Sequence, residues 1–180
     1  ETKTPADNRV PLSPAQCRQV EDSYPGIQVI VQPSDCRCFT DGDYEKEGIR
    51  VKNDLSGCDV LMGIKEVMPC DLIPRKTYFF FSHTIKKQKH NKALLQSILD
   101  KQIRLVDYET LTDIRGVRMI GFGRWAGLVG TYNGIRALCK RYLLFELLPP
   151  QECHTLNHMI EQASQRKLPP FRIALTGDGR

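Results

Sequence analysis

Two apolar runs near the middle of the chain each lead to one ionisable side chain. Val60–Ile64 (VLMGI) is followed at once by Lys65, and Tyr78–Phe81 (YFFF) is followed by Ser82 and then His83. Runs of this length read as buried strands, and α/β sheets hold their polar, chemically useful groups just past the strands' C-terminal ends. A Lys and a His delivered to one sheet edge would make a candidate proton-transfer pair. Each residue also has a plainer reading, the Lys as a solvated side chain and the His as a cap. Arg118 lies inside another apolar run, Val117–Ile120 (VRMI). An arginine buried there needs either a structural ion-pair partner or a ligand anion. Arg9, in Asn8-Arg9-Val10-Pro11, reads by itself as an exposed loop residue. Asp107-Tyr108-Glu109 follows a strand and could act as a base, bind a ligand or cap the next helix.

The cysteines and histidines suggest no metal. Cys36-x-Cys38 and Cys153-His154-x-x-x-His158 match none of the paired ligand spacings of zinc sites. Seven cysteines, odd in number and unevenly spread, form no disulfide framework; with no signal peptide ahead of them they point to a reducing, cytoplasmic setting. The net charge of +5 is mild and its densest run, Lys86–His90 (KKQKH), has no interleaved aromatics, so nucleic-acid binding is not expected. No apolar run approaches the ~20 residues a membrane helix needs. A length of 180 residues allows one domain with a full core, or one domain and the start of a second.

The elements that must position these groups follow in order. Ser13-Pro14 is an N-cap with proline at the first helical position, predicting a helix to about Tyr24 that stops at Pro25-Gly26. Ile27–Val31 reads as a strand, Asp41–Gly48 as a short acidic helix and Ile49–Val51 as a short strand. Val60–Ile64 and Tyr78–Phe81 come next, then a helix over Gln88–Lys101 with Leu94, Leu95, Ile98 and Leu99 at core spacing, and a strand at Ile103–Val106. Strands and helices alternating at short intervals predict a mostly parallel sheet with helices on both faces, a Rossmann-like lobe. Gly121-Phe-Gly-Arg-Trp-Ala-Gly127 is a poor dinucleotide fingerprint, because its third glycine falls one residue late and no adequate strand precedes it. Its small residues instead predict a long helix, roughly Trp125 to Glu146, packed closely through a small face. Gln151–Arg166 reads as an amphipathic helix and Lys167–Pro170 as a linker. Phe171–Thr176 (FRIALT) reads as a strand running into Gly177-Asp178-Gly179, the way a Rossmann phosphate loop begins.

Several segments together resemble a known family. NRVPLSP (8–14), GIKE (63–66), FFSHTIK (80–86) and RLVDYE (104–109) resemble the N-terminal lobe of the alanine dehydrogenase and transhydrogenase family. FFSHTIK, RLVDYE and RGVRMIGFGRWAG (115–127) look most like the lysine-forming saccharopine dehydrogenases and the lysine–ketoglutarate reductase domains. The resemblance covers nearly the whole chain, in the family's order.

The resemblance implies an oxidoreductase lobe for reductive condensation of L-lysine with 2-oxoglutarate to saccharopine, or the reverse. Lys65 and His83 would then relay protons, and Arg9 and Arg118 would hold substrate carboxylates, where bidentate guanidinium geometry supplies orientation. Imine formation needs an acid and a base with pKa values near the working pH, so the cationic cleft would have to lower that of the lysine. NAD or NADP would be bound by a second Rossmann lobe, of which only the first strand and Gly177 and Gly179 would be present. The implied division is a catalytic lobe over 1–148, a helix and linker over 149–170, and the start of the cofactor lobe over 171–180. Such a piece would turn over nothing by itself. An alanine dehydrogenase-like enzyme and a non-catalytic interaction domain of the same fold remain as alternatives, and the oligomeric state is open.

Overall fold

The computed structural model describes residues 7–174 and 176. The chain divides into two compact units, Glu1–Gly121 and Phe122–Arg180.

In the first unit, helix α1 (Pro14–Ser23) starts where local chemistry demands it. The Gln16 N–H donates to Ser13 Oγ (3.4 Å), and the Ser13 N–H donates to Gln16 Oε1 (2.9 Å), a reciprocal capping box with proline at the first helical position. Helix α2 (Asp41–Lys46) repeats the device with Thr40 and Asp43. Two short strands, β1 (Ile30–Val31) and β2 (Arg50–Val51), pair in parallel, and Cys17, Tyr44 and Ile49 fill the small core beside them. The Tyr44 hydroxyl donates to the Leu12 carbonyl (2.8 Å), tying α2 to the loop ahead of α1.

The larger sheet holds β3 (Val60–Lys65), β4 (Thr77–Phe81) and β5 (Arg104–Asp107), all parallel, in the order β3-β4-β5. Helix α3 (Lys92–Asp100) crosses from β4 to β5 and sets Leu94 and Ile98 against Leu61, Leu72, Tyr78 and Phe80. The β3–β4 connection has no helix. Its carbonyls at Pro69 and Leu72 instead accept from the Lys101 ammonium, at 2.7 and 2.6 Å. The α/β class with parallel pairing is as the alternation of elements predicts, although the strands fall into two sheets.

Four local expectations differ from the structure. The helix expected over Gln88–Lys101 opens as a 3₁₀ turn, Lys89–Asn91, and becomes α-helical only over α3 (Lys92–Asp100). Val117–Ile120 is no strand: Arg118 forms one isolated antiparallel bridge with Thr112, and it is exposed rather than buried. Residues 171–174 and 176 carry no strand, and a strand needs a neighbour to take its backbone hydrogen bonds. Gly177 and Gly179 lie outside the described residues.

The second unit contains α4 (Gly123–Arg141) and α5 (Leu156–Ser164), with Tyr132, Cys139, Leu147 and Met159 as its buried centre. The fourth difference lies here. A Cβ at Gly127, Gly130 or Gly134 would meet nothing within 4 Å, so among the described residues α4 makes no close approach through its small face. Cys153, His154 and His158 serve local structure: the Cys153 thiol donates to the Pro149 carbonyl (3.6 Å), and His158 Nδ1 accepts from the His154 N–H (3.4 Å). No group of three or more His, Cys, Asp or Glu side chains among the described residues is placed to hold a metal ion.

Candidate active site

The C-terminal ends of β3, β4 and β5 bring three ionisable groups to one edge. Lys65 is the last residue of β3 and pairs in register with Phe81 of β4, after a shift in the ladder past Met62. His83 follows β4 by two residues, and Glu109 follows β5 by two. Neighbouring strands lie about 4.8 Å apart, so the parallel register itself gathers the cluster.

His83 is held from several sides. Its backbone is left-handed (φ 56°, ψ 9°), a conformation costly for a side-chain-bearing residue and tolerated where surroundings fix it. The buried Asn91 amide donates to its carbonyl (3.2 Å), and its ring stacks against Phe81 with centroids 6.4 Å apart. Nδ1 lies 3.0 Å from Glu109 Oε2 and 3.1 Å from the Lys86 ammonium. One ring nitrogen cannot both donate to the first and accept from the second. An ionised carboxylate takes the proton-bearing nitrogen, so we assign Nδ1–H to Glu109 and leave Lys86 its own contact with Glu109 Oε1 (3.2 Å). Nε2 then carries the lone pair and, among the described residues, has no hydrogen-bond partner.

Glu109 is the hub. Its side chain is only 10% exposed, and burial by itself raises its pKa; hydrogen bonds from His83, Lys86 and Arg118 outweigh that and hold the carboxyl at about 2. The Arg118 guanidinium donates to Glu109 Oε1 at 3.1 Å. Beneath the hub, buried Asp107 accepts from the buried Ser82 hydroxyl and from the Glu109 N–H (2.9 Å), while Ser82 Oγ accepts from the Thr84 N–H (3.1 Å). This network ties the loop carrying His83 to the loop carrying Glu109. Tyr108, between them, keeps its proton at neutral pH, because burial pushes its hydroxyl up to about 12.

The remaining predicted group is reached through Asp7. Arg9 Nε donates to Asp7 Oδ1 (2.8 Å), and this pairing lowers the Asp7 carboxyl below its ordinary value, with the Lys65 charge adding to the effect. The structure thus forms two groupings on the first unit: Arg9 and Asp7 within the field of Lys65, and His83, Lys86 and Arg118 around Glu109. Among the described residues the Lys65 ammonium makes no hydrogen bond or ion pair, and its charge acts on Asp7 from a distance. Sequence reasoning did not select Glu109, Lys86, Ser82, Asp107 or Asn91 as site residues. The available signal was the convergence of hydroxyl and acidic groups at the ends of neighbouring strands, with Lys86 three positions after His83.

The family described as "Alanine dehydrogenase/PNT, N-terminal domain" matches residues 1–129. The chain belongs to that family. A bovine protein named alpha-aminoadipic semialdehyde synthase, mitochondrial, is 40% identical over 137 residues, covering 76% of this chain and 15% of that protein. Its Arabidopsis thaliana counterpart is 35% identical over 154 residues, covering 83% of the chain and 14% of the protein. A saccharopine dehydrogenase (NAD(+), L-lysine-forming) of Emericella nidulans is 33% identical over 147 residues, covering 76% of the chain and 37% of the protein. These matches agree with the sequence motifs, and the chain spans well under half of each relative. A solved L-alanine dehydrogenase shares the fold at a TM-score of 0.54 and 17% identity, over 78% of this chain and 37% of that one. Among the described residues, no helix is long and apolar enough to cross a membrane.

Proposed function

We propose that this chain is the substrate-binding, proton-transferring lobe of an oxidoreductase that joins L-lysine and 2-oxoglutarate to saccharopine, or runs the reaction backwards. The observation that carries the reading is the convergence of Lys65, His83 and Glu109 at the ends of three adjacent parallel strands, with Arg118 on the same carboxylate. Joining an amine to a keto acid requires removing a proton from the substrate ammonium and later supplying one to the departing water. His83, with Nδ1–H committed to Glu109, takes a proton at Nε2, and Lys65 is the second member of the relay. Arg118 and Arg9 are already held by carboxylates, Glu109 and Asp7. A substrate carboxylate arriving at either guanidinium replaces an acceptor of the same kind and so recovers the charge-assisted hydrogen bond. A nicotinamide, NAD or NADP, supplies the hydride when bound by the rest of the protein. We assign 171–180 to the start of that cofactor lobe, with Gly177 and Gly179 in its phosphate loop.

The substrates are small molecules, and neither nucleic acid nor a membrane is part of this reading. The location we propose is the cytoplasm, on seven cysteines that all remain free thiols. The mammalian relatives are named mitochondrial, so fractionation of the native protein decides between the two locations.

The decisive test follows NAD(P)H absorbance in the full-length protein with lysine plus 2-oxoglutarate, and separately with pyruvate plus ammonium. Oxidation in the first mixture alone, lost on Lys65→Met or His83→Gln, is the expected result. Oxidation in the second alone would move the protein to an alanine dehydrogenase. Silence in both would leave an interaction domain of this fold.

A further inference from the structure

The opposite edge of the three-stranded sheet carries a polar hollow of about 440 Å³. It lies where β3, β4 and β5 begin, and is lined by Asp59, Arg75, Lys76, Thr77, Gln102 and Arg104. Three basic residues and one acidic residue therefore line it. Among the described residues, none of the Arg75, Lys76 and Arg104 side chains is in an ion pair with an acidic group, unlike Arg9, Arg18, Arg37, Arg115 and Arg118. The backbone there is committed elsewhere. The Arg75 N–H donates to the Lys101 carbonyl (2.9 Å), the Arg104 N–H to Lys76 (3.0 Å) and the Thr77 N–H to Asp59 (3.1 Å). What the hollow offers a ligand is two guanidinium groups and an ammonium.

A second observation concerns conformation. Five described non-glycine residues have positive φ, and they are not spread evenly. His83 and Lys87 flank the proton-transfer edge, and Arg75 (φ 62°) and Gln102 (φ 52°) both line this hollow. At Gln102 the left-handed backbone closes α3, the Gln102 N–H returning to the Leu99 carbonyl (3.0 Å) and the Ile103 N–H to the Ile98 carbonyl (3.0 Å). The Arg75 N–H is held by the Lys101 carbonyl (2.9 Å), so the turn that carries this arginine is tied to the same helix end.

We propose that this hollow is a binding site for a small phosphate-bearing anion, separate from the proton-transfer edge. Guanidinium groups grip phosphate oxygens in bidentate fashion, and an ammonium adds a point charge. A phosphate carries two negative charges or nearly so at neutral pH, which matches three cations less one carboxylate. The volume leaves room for a group attached to the phosphate.

The test is calorimetric titration of the full-length protein with inorganic phosphate and with pyrophosphate, in chloride buffer. Binding of pyrophosphate that weakens about 10-fold or more in Arg104→Gln and in Arg75→Gln, and weakens with added salt, is expected. Lys65→Met, altered at the other edge, should bind as the unaltered protein does. Asp59→Asn removes the one opposing charge and should tighten binding, a gain that a misfolded variant could not show. No measurable binding of either probe, or binding lost in Lys65→Met but kept in Arg104→Gln, would overturn the proposal.

Discussion

Glu109 takes hydrogen bonds from an imidazole, an ammonium and a guanidinium, and its protonation state couples the site to the fold. The folded carboxyl titrates at about 2, against an ordinary 4.5. Between these values the unfolded chain binds a proton that the folded chain refuses. The stabilisation is therefore fully present above pH 4.5 and disappears as pH falls from there towards 2. Lys86 and Arg118 are almost half exposed, so solvent screening keeps the contribution to about 1–2 kcal/mol. Urea midpoints at pH 7, 4 and 3 should fall less steeply in Glu109→Gln than in the unaltered chain. An equal slope would mean that this carboxylate is not the one titrating. Arg118→Ala removes one donor and, on the proposed role, should raise the KM for 2-oxoglutarate by about 10- to 100-fold in the full-length protein. A change in kcat alone would assign Arg118 to proton transfer instead.

At the scale of elements, the end of α4 carries a testable irregularity. The Leu144 N–H returns to the Cys139 carbonyl (3.0 Å), a Schellman closure that requires a left-handed residue at position 143. That residue is Leu143, with φ 51° and 92% of its surface exposed. Leu143→Gly should stabilise the chain by about 1 kcal/mol, read as a higher denaturation midpoint, because it removes a backbone penalty and forfeits little burial. In the first unit, Ile98→Ala should cost about 2–4 kcal/mol by opening a cavity between α3 and β4. The same scale shows what was legible in the sequence. Lys65 and His83 could be placed because apolar strands have sharp ends, and the caps at Ser13 and Thr40 could be read from adjacent residues. Glu109 could not be chosen over Asp107, because that choice depends on the pleat. Asp107 turns inward to Ser82, while two positions further on Glu109 has left the strand and meets His83. Arg118 was expected to be buried because its neighbours are apolar; the turn at Asp113–Gly116 folds the segment outward, and its partner is nine residues back. At 171–174 and 176 the strand pattern has a different limit: a pattern specifies a strand only where a partner strand takes its hydrogen bonds.

For the molecule as a whole, the relatives' lengths set the expectation. The 180-residue chain should show no NAD(P)H fluorescence change on titration and no turnover, since what it aligns with is 14–37% of the enzymes it resembles. A fluorescence change in this chain alone would place a cofactor site within it. The sheet order also has a consequence in time. Among the described residues β4 is hydrogen-bonded on both sides, whereas β3 and β5 each have one partner strand, and Phe80 within β4 is fully buried. Deuterium should therefore enter the amides of Tyr78–Phe81 last, at a rate that reports opening of the whole first unit. The flanking strands should take it up earlier, through smaller openings. The strand that leads into His83 would then be the slowest part of the first unit's exchange clock, and the histidine would stand on its least mobile support.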